Sequence, residues 1–354
     1  MNREKISKLV RDNVLNLKPY ASAREEYTGS GAIFLDANEN PFNEPYNRYP
    51  DPLQRSLKQK IAGIKNVPVK NIFIGNGSDE AIDLLIRVFC EPGQDNIVTL
   101  DPSYGMYKVC ADINNVQTKM VKLETDFTLD FTSLKNVTDN DTKLVFICSP
   151  NNPTGNSFNN KKLLEFTSAF NGIVIVDEAY IDFSSRKSLL DNLFSLKNLV
   201  VLQTLSKSWG LAGIRLGMAF ANDFIIDMMS KIKYPYNVNM LTQQFALKTL
   251  EQKKLQQVEW LSDLLEEKQR LQEQLQNISY VKKIYPSDAN FWLIKVTDAN
   301  YIYDYLIKEK IIIRNRSNVT RCEGCLRITV GKREENDRLL SALKEIEINF
   351  AGKS

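Results

Sequence analysis

A lysine and an arginine stand eight positions apart among small residues in segment 205–217, which reads LSKSWGLAGIRLG. Lys207 follows an apolar run, where desolvation and neighbouring cations lower a lysine's pKa and leave a neutral amine that attacks aldehydes. Ser206 and Arg215 have the chemistry to bind phosphate, the arginine through paired hydrogen bonds. The alternative is a solvated loop lysine, but the glycine-rich setting after a strand argues against it.

A carboxylate follows a second apolar run. Asp177 comes directly after residues 173–176, which read IVIV. A carboxylate at the end of a buried strand is costly unless a cation offsets its charge, and a protonated pyridine nitrogen would be such a cation. An ion pair with Lys or Arg, or a metal ion, are the alternatives. A metal site needs more ligands than the sequence offers, so we expect none.

Two further loops follow apolar runs. Residues 75–80 read GNGSDE, and glycines before a helix start let backbone N–H groups approach a phosphate. A plain strand-to-helix turn, capped by Ser78 or Asp79, is the alternative. Residues 149–155 read SPNNPTG, in which two prolines fix the backbone and hold the Asn152 amide in a defined direction. The alternative there is a simple Pro-Gly turn.

Together these groups indicate one cofactor. A lysine for a Schiff base, an aspartate for a pyridinium nitrogen and a phosphate-binding loop are what a protein contributes to pyridoxal phosphate. The chain has no histidine, which excludes a Ser-His-Asp triad and a Cys-His pair. Acid–base work must therefore fall to Lys, Asp, Glu, Tyr or Cys.

Short apolar runs alternate with helical stretches from about residue 33 to 221 and must position these loops. The runs lie at 71–74, 96–100, 144–148, 173–176, 199–202 and 217–220. Continuous apolar runs are typical of strands buried on both faces, so they predict a mainly parallel sheet with helices on both sides. Ligands of such sheets bind beyond the carboxyl ends of the strands, where the four loops lie.

After residue 239 the sequence has a long stretch with amphipathic helical spacing, and a smaller α+β unit follows this stretch. Its predicted strands are 290–294, 311–313 and 326–330, with a helix at 302–308 and another at the end of the chain. We expect three parts: a polar N-terminal arm with one short helix over 1–30, a large cofactor-binding domain over 31–240 and a small domain over 241–354.

Composition restricts the remaining classes of function. With 354 residues and about 150 per domain, two domains are expected. A net charge of +3 without a basic stripe gives no support to nucleic-acid or membrane-surface binding. No signal peptide is indicated and no run approaches 18 apolar residues, so we expect a cytoplasmic protein.

The chain resembles the fold-type I pyridoxal-phosphate aminotransferases of classes I and II along nearly all of its length. The segments that carry this resemblance are SPNNPTG at 149–155, VDEAY at 176–180 and SKSWGLAGIRLG at 206–217. Other segments are similar to those of the histidinol-phosphate aminotransferases: NLKPY at 16–20, LDANENP at 35–41, RYPDP at 48–52 and CLRITVG at 325–331. The resemblance implies an α/β fold with a mainly parallel seven-stranded sheet, bound pyridoxal 5′-phosphate and a homodimer with shared active sites.

The resemblance also implies roles on the cofactor. Lys207 would form the Schiff base and move the proton, Asp177 would pair with the ring nitrogen, and Tyr104 would stack on the ring. Asn152 and Tyr180 would hold the ring hydroxyl. The phosphate region would be lined by Gly77, Ser78, Asp79, Ser206 and Arg215, with Tyr49 crossing from the second subunit.

On the substrate side, the resemblance implies that Arg327 binds the anionic group. Tyr20 and Asn38 would assist, as would Arg314, although Arg316 follows so closely that either arginine fits this role. The implied reaction transfers the amino group of L-histidinol phosphate to 2-oxoglutarate, giving imidazole acetol phosphate and L-glutamate in histidine biosynthesis. Alternatives on the same fold are an aromatic or aspartate aminotransferase and a threonine-phosphate decarboxylase. A non-enzymatic cofactor-binding regulator would need a DNA-binding domain, for which no residues are left over.

Overall fold

The structure is a computed structural model that describes residues 1–20, 24 and 31–351, with side chains up to residue 346. The predicted arm, 1–30, therefore lies partly outside the described residues. Its described part holds two short helices, α1 (Arg3–Ser7) and α2 (Asp12–Leu15), so the prediction of one helix is wrong. Ile6, Val10 and Val14 are buried, which docks this segment onto the core.

Seven strands form the large sheet, in the order β1-β7-β6-β5-β4-β2-β3. They are β1 (Ile72–Asn76), β2 (Asn96–Asp101), β3 (Gln117–Lys122), β4 (Thr142–Cys148), β5 (Ile173–Asp177), β6 (Leu199–Thr204) and β7 (Leu216–Ala221). Only β7 runs antiparallel to its neighbours, which confirms the prediction of a mainly parallel sheet. The edge strand β3 was not predicted, because its mostly exposed residues make no continuous apolar run.

Helices cover both faces of this sheet, so successive strand residues are buried on opposite sides. Val174 and Val176 belong to one hydrophobic cluster, whereas Ile173 and Ile175 belong to the other. The helices are α3 (Arg55–Lys65), α4 (Gly77–Phe89), α5 (Met106–Ile113), α6 (Phe131–Val137), α7 (Asn160–Ala169) and α8 (Asp223–Ile232). This double burial explains the continuous apolar runs in the sequence.

A second, four-stranded antiparallel sheet has the order β10-β11-β9-β8. Its elements follow α9 (Met240–Gln252) and the long α10 (Lys254–Gln276), and they are β8 (Val281–Ile284), β9 (Phe291–Val296), α11 (Ala299–Lys308), β10 (Arg314–Asn315), β11 (Cys325–Thr329) and α12 (Arg333–Ala351). The predicted strand at 311–313 is wrong: Ile313 is buried and Ile311 packs against the same core, but Ile312 is exposed and the strand begins at Arg314. The predicted division at residue 240 stays a prediction.

No helix within the described part of the chain is long and apolar enough to be a membrane span.

The two sheets meet at the turn that precedes β9. The backbone N–H of Asp288 donates to the carbonyl of Gly155 over 2.7 Å. A Cβ atom at Gly155, where φ is +85°, would lie 2.5 Å from Oγ of Ser287, so this contact requires a glycine. Tyr180 and Phe291 add an apolar contact, with their rings edge to face at 5.3 Å. The small sheet is thus packed directly against the loops at the carboxyl ends of the large sheet.

Candidate active site

A cavity of about 580 Å³ lies where the carboxyl ends of the parallel strands face the small sheet. Most of the predicted site residues line it: Gly77, Ser78, Asp79, Tyr104, Asn152, Asp177, Tyr180, Ser206, Lys207, Arg215, Arg314 and Arg327. We call the residues from the large-sheet loops, 77 to 215, the large-sheet wall. Arg314, Arg316 and Arg327 form the small-sheet wall.

Asp177 ends β5 at the floor of the cavity and is only 2% exposed. Its Oδ2 accepts a hydrogen bond from the Tyr107 hydroxyl over 2.8 Å, and its Oδ1 accepts one from the Ala179 N–H over 3.1 Å. Burial raises the pKa of the carboxyl to about 6, although both hydrogen bonds lower it. Among the described residues Asp177 forms no ion pair, so its negative charge is matched by hydrogen bonds alone.

Lys207 follows β6 and is half-buried in the same cavity. Burial lowers the pKa of its amine, the positive charge of Arg327 lowers it further, and Asp177 opposes this change. Its Nζ lies 5.4 Å from the centre of the Tyr180 ring. Lys207 is therefore a partly desolvated lysine with a lowered pKa, and not a solvated loop lysine.

The loop between β1 and α4 forms a backbone cradle against the turn before β7. Gly77 has a φ of +72°, and its N–H donates to the carbonyl of Arg215 over 2.7 Å. A Cβ atom at Gly77 would lie 2.8 Å from Nη2 of Arg215, and one at Gly217 would lie 2.1 Å from N of Ser78. Only glycines allow this approach, which brings a guanidinium to the start of a helix, where backbone N–H groups favour an anion.

Asp79, in the first turn of α4, fixes two neighbouring side chains. Its Oδ1 accepts from the Tyr104 hydroxyl over 3.0 Å, and its Oδ2 lies 3.4 Å from Nη2 of Arg215. Burial, and then the Asp79 charge, raise the pKa of the Tyr104 phenol. Tyr104 therefore stays neutral and its ring is held in a fixed direction at the cavity surface.

The loop at 149–155 is more than a Pro-Gly turn. Asn151 is completely buried, and its amide donates to the carbonyl of Pro102 over 2.9 Å and to Oγ1 of Thr154 over 2.8 Å. These bonds hold the next residue, Asn152, at the cavity, where its Oδ1 accepts a hydrogen bond from Nη1 of Arg327. The large-sheet and small-sheet walls are linked through this bond.

The small-sheet wall carries three guanidinium groups. Arg314 stands opposite Arg327 in the pairing of β10 with β11, and the guanidinium of Arg327 lies 5.2 Å from the centre of the Phe291 ring. Burial lowers the pKa of Arg327. Within the described part of the chain none of the three arginines forms an ion pair, so this wall presents positive charge alone.

Three predicted residues are not brought to this cavity by their own chain. Tyr20 is 72% exposed and does not line it. Asn38 and Tyr49 line a different cavity of about 650 Å³, where the Tyr49 ring stacks on Tyr236 with centroids 4.5 Å apart. A contribution of Tyr49 to the site of a second subunit stays a prediction.

Tyr107, the fully buried donor to Asp177, was not predicted from the sequence. It lies within α5, well before the loop that it serves, and no local pattern marks it. Asn151 was missed for another reason. Asn151 is next to Asn152 in the sequence, but which of the two amides faces the cavity depends on the surrounding loops.

Comparisons with known proteins agree with this geometry. The family model of class I and II aminotransferases matches residues 33–343. The histidinol-phosphate aminotransferase of Parabacteroides distasonis is 54% identical over 96% of this chain and 98% of that protein, and that of Bacteroides thetaiotaomicron is 54% identical over 97% and 99%. The crystal structure of the histidinol-phosphate aminotransferase from Clostridium acetobutylicum matches with a TM-score of 0.79 and 26% identity, covering 86% of this chain and 92% of that one. The chain therefore belongs to the class I and II aminotransferases, in the family of the histidinol-phosphate aminotransferases.

Proposed function

We propose that this chain uses pyridoxal 5′-phosphate to transfer the amino group of L-histidinol phosphate to 2-oxoglutarate, which gives imidazole acetol phosphate and L-glutamate. One observation carries the proposal: a buried carboxylate without a cation, Asp177, and a half-buried lysine, Lys207, line one cavity together with a cationic wall. The names of the relatives that share about half of its residues support the choice of substrates.

The residues present fit the cofactor. The carboxylate of Asp177 has hydrogen-bond donors but no counter-charge, and a pyridinium nitrogen would supply one. The close approach that Gly77 and Gly217 allow makes a cradle for a phosphate beside Arg215. Ser78 and Ser206 line the same cavity and would add hydroxyl donors.

When bound, pyridoxal phosphate supplies an aldehyde carbon and an aromatic ring that accepts the electron pair of a broken C–H bond. Asp177 would hold the proton on the ring nitrogen, because an acidic partner raises that nitrogen's pKa by about 1–3 units, or roughly 1.4–4 kcal/mol. Asn152 and Tyr180 would donate hydrogen bonds to the ring hydroxyl. Burial raises the pKa of Tyr180, which keeps its phenol neutral and able to donate.

Lys207 would move the proton. Its amine is partly desolvated and the charge of Arg327 lowers its pKa further, so its neutral form would take the proton from the substrate's α-carbon and return it to the C4′ carbon of the cofactor. Because the same side chain gives and takes the proton within one complex, no second molecule has to be brought into position.

Arg327 would bind both substrates in turn. A guanidinium meets a carboxylate or a phosphate with the same pair of hydrogen bonds, so one residue serves the amine donor and the keto acid. A donor without its phosphate would leave the half-buried Arg327 unpaired, at a cost of about 3–5 kcal/mol.

The test compares L-histidinol phosphate with L-histidinol, each with 2-oxoglutarate and the cofactor-loaded protein, by following glutamate formation. We expect kcat/KM to be at least about 100-fold lower for L-histidinol. Equal values would contradict the substrate assignment. Aspartate and phenylalanine as donors test the two aminotransferase alternatives, and carbon dioxide release from threonine phosphate tests the decarboxylase. Lys207→Ala is the control for background reaction.

The proposal includes a homodimer in which Tyr49 reaches the partner's cavity. Its support is that Tyr49 is half exposed and lines a different cavity in its own chain. Light scattering measures the mass of the protein in solution. A monomer that is fully active would contradict this part of the proposal.

A further inference from the structure

We propose that Asp182 is a positioning residue for Lys207: its carboxylate accepts a hydrogen bond from the Ser208 hydroxyl and thereby fixes the loop that carries the amine. Neither Asp182 nor Ser208 lines the cavity, so both act through Lys207 and not on the substrate. The inference rests on the proposed function, because it assumes that the Lys207 amine moves the proton.

The hydrogen bond joins the segments that follow β5 and β6. Asp182 lies in a short 3₁₀ turn, Ile181–Phe183, just after β5, and Ser208 comes directly after Lys207. Ser208 is only 3% exposed, and its hydroxyl donates to Oδ2 of Asp182. A hydrogen bond to a charged acceptor is about twice as strong as one between neutral groups. One strong side-chain contact therefore lies directly beside the lysine.

The backbone of the Lys207 loop is bonded mainly to itself. The N–H of Leu211 donates to the carbonyl of Leu205 over 3.0 Å, which closes the loop at its ends. Gly210 has a φ of +63°, and its N–H donates to the carbonyl of Lys207 over 3.0 Å. The Ser208 side chain links the middle of this loop to a different segment of the chain. Loss of that link would leave the loop closed but free to shift as a unit.

Asp182 belongs to the same turn as Tyr180, which determines what the hydrogen bond aligns. The N–H of Phe183 donates to the carbonyl of Tyr180 over 3.1 Å, and Nζ of Lys207 lies 5.4 Å from the centre of the Tyr180 ring. The hydroxyl–carboxylate bond and the lysine–ring contact therefore join the same two segments side by side. Because Tyr180 would hold the ring hydroxyl of the cofactor, the bond to Asp182 sets the position of the amine relative to that ring.

The turn that carries the acceptor is itself held in place. Phe183 is buried in an apolar cluster with Tyr180 and Phe291, which anchors the turn. Nζ of Lys65, on α3, lies 3.8 Å from Oδ1 of Asp182, the carboxylate oxygen that does not accept from the serine. The carboxylate is thus oriented by packing on one side and by a cation on the other.

The rate of proton transfer depends steeply on where the Lys207 amine lies. A displacement of about 1 Å, caused by a change outside the reacting atoms, can lower a rate by about 100-fold. Arg327, which would bind the anion of the substrate, lies on the small sheet and does not depend on this hydrogen bond. Loss of the bond should therefore lower kcat and leave KM nearly unchanged.

The test measures kcat and KM for L-histidinol phosphate with the cofactor-loaded protein. In Ser208→Ala and in Asp182→Ala, kcat should fall about 10–100-fold, with KM changed less than about threefold. The double variant should lose no more than either single variant, because both changes remove the same hydrogen bond. Asp182→Asn keeps an oxygen acceptor for the serine and should recover most of the loss.

Amide hydrogen exchange in the cofactor-free protein gives a measurement that does not depend on activity. Exchange in segment 205–211 should be at least about fivefold faster in Ser208→Ala than in the wild type, because the loop opens more often. Ser133→Ala is the matched control: the Ser133 hydroxyl also donates to an aspartate, Asp130, over 2.7 Å, at the start of α6. In this control both kcat and the exchange of segment 205–211 should change less than about twofold.

The outcomes separate the inference from the function that it rests on. If Lys207→Ala keeps the kcat of the wild type, the proposed role of the lysine is wrong. If Lys207→Ala is inactive but Ser208→Ala keeps the wild-type kcat and exchange, the inference alone is overturned. Additive losses in the double variant would also overturn it, because the two residues would then act independently. Thermal unfolding verifies that each variant is folded, and Ser208→Ala tests the same bond if Asp182→Ala is not.

Discussion

The two walls of the cavity differ in how their charges are arranged. The large-sheet wall combines acids and bases: Asp79 holds Tyr104 and Arg215, and Asp177 has two hydrogen-bond donors. The small-sheet wall carries three arginines, and no carboxylate pairs with them within the described part of the chain. The first arrangement suits a group that stays bound, because its donors and acceptors are oriented in advance. The second suits anions that arrive and leave in each half-reaction.

This difference has a kinetic consequence. Groups that act on the cofactor ring should affect kcat, because they act on the reacting atoms. Groups that hold the anion of either substrate should affect mainly KM. The first two of the four variants below test this division, and the other two test how Asp177 and Tyr104 are held on the large-sheet wall.

The largest expected effect is that of Lys207→Ala, on the large-sheet wall. Loss of the group that moves the proton should lower kcat by about 10⁴-fold, with KM changed much less. Single-turnover formation of glutamate is the measurement, and Lys254→Ala, at an exposed surface lysine, is the control. A kcat within about tenfold of the wild-type value would contradict the role of Lys207.

Arg327→Gln, on the small-sheet wall, should lose about 2–5 kcal/mol of binding for both substrates, or roughly 30- to 5000-fold in kcat/KM. Most of the loss should appear in KM, in contrast to Lys207→Ala. The control is Arg321→Gln, because Arg321 faces Glu124 outside the cavity. A loss confined to kcat would mean that Arg327 acts on the chemical step and not on substrate binding.

Asp177 should make the stability of the cofactor-free protein depend on pH. Its pKa is about 6 in the folded chain, against 3.8 for an ordinary solvated aspartate, so the folded protein binds more protons between these values. The free energy of unfolding should therefore fall by about 3 kcal/mol from this group as pH rises from about 4 to 6. Denaturant unfolding of wild type and Asp177→Asn across this range measures the difference between the two. Parallel curves would show that Asp177 is not buried as an uncompensated acid.

Tyr104→Phe should have the smallest effect. It removes the hydrogen bond to Asp79 and keeps the ring, so we expect a loss of about 0.5–1.5 kcal/mol, or roughly 2- to 10-fold in cofactor affinity. Tyr305→Phe is the control, because the Tyr305 hydroxyl donates to Glu345 far from the cavity. A loss in kcat without a loss of cofactor affinity would assign Tyr104 to the chemical step instead.

The parts of the site that the sequence predicted are those that local patterns determine. A strand buried on both faces is continuously apolar, and the loop that follows it lies at the edge of the sheet. These two rules were sufficient to predict that Asp177, Lys207 and the loops at 75–80 and 149–155 lie together at one cavity. The same logic fails for β3, because an edge strand needs no continuous apolar run.

What the sequence did not predict depends on distant parts of the chain. Tyr107 reaches Asp177 from a helix 70 positions away, and nothing in its neighbourhood marks that contact. The strand predicted at 311–313 begins instead at Arg314, because pairing with β11 and not apolar content determines where it starts. Tyr20 and Asn38 lie in segments that match a family pattern. Such a pattern does not predict from which direction, or from which subunit, a side chain reaches a site.

The contact at Gly155 joins the two walls mechanically. Asp288 and Arg327 both belong to the small-sheet side, and they hydrogen-bond to Gly155 and Asn152, which are three positions apart in one loop. A displacement of Arg327 by a bound anion would therefore also displace the Asn152 amide. Substrate binding would then be coupled to the position of the group that would face the ring oxygen.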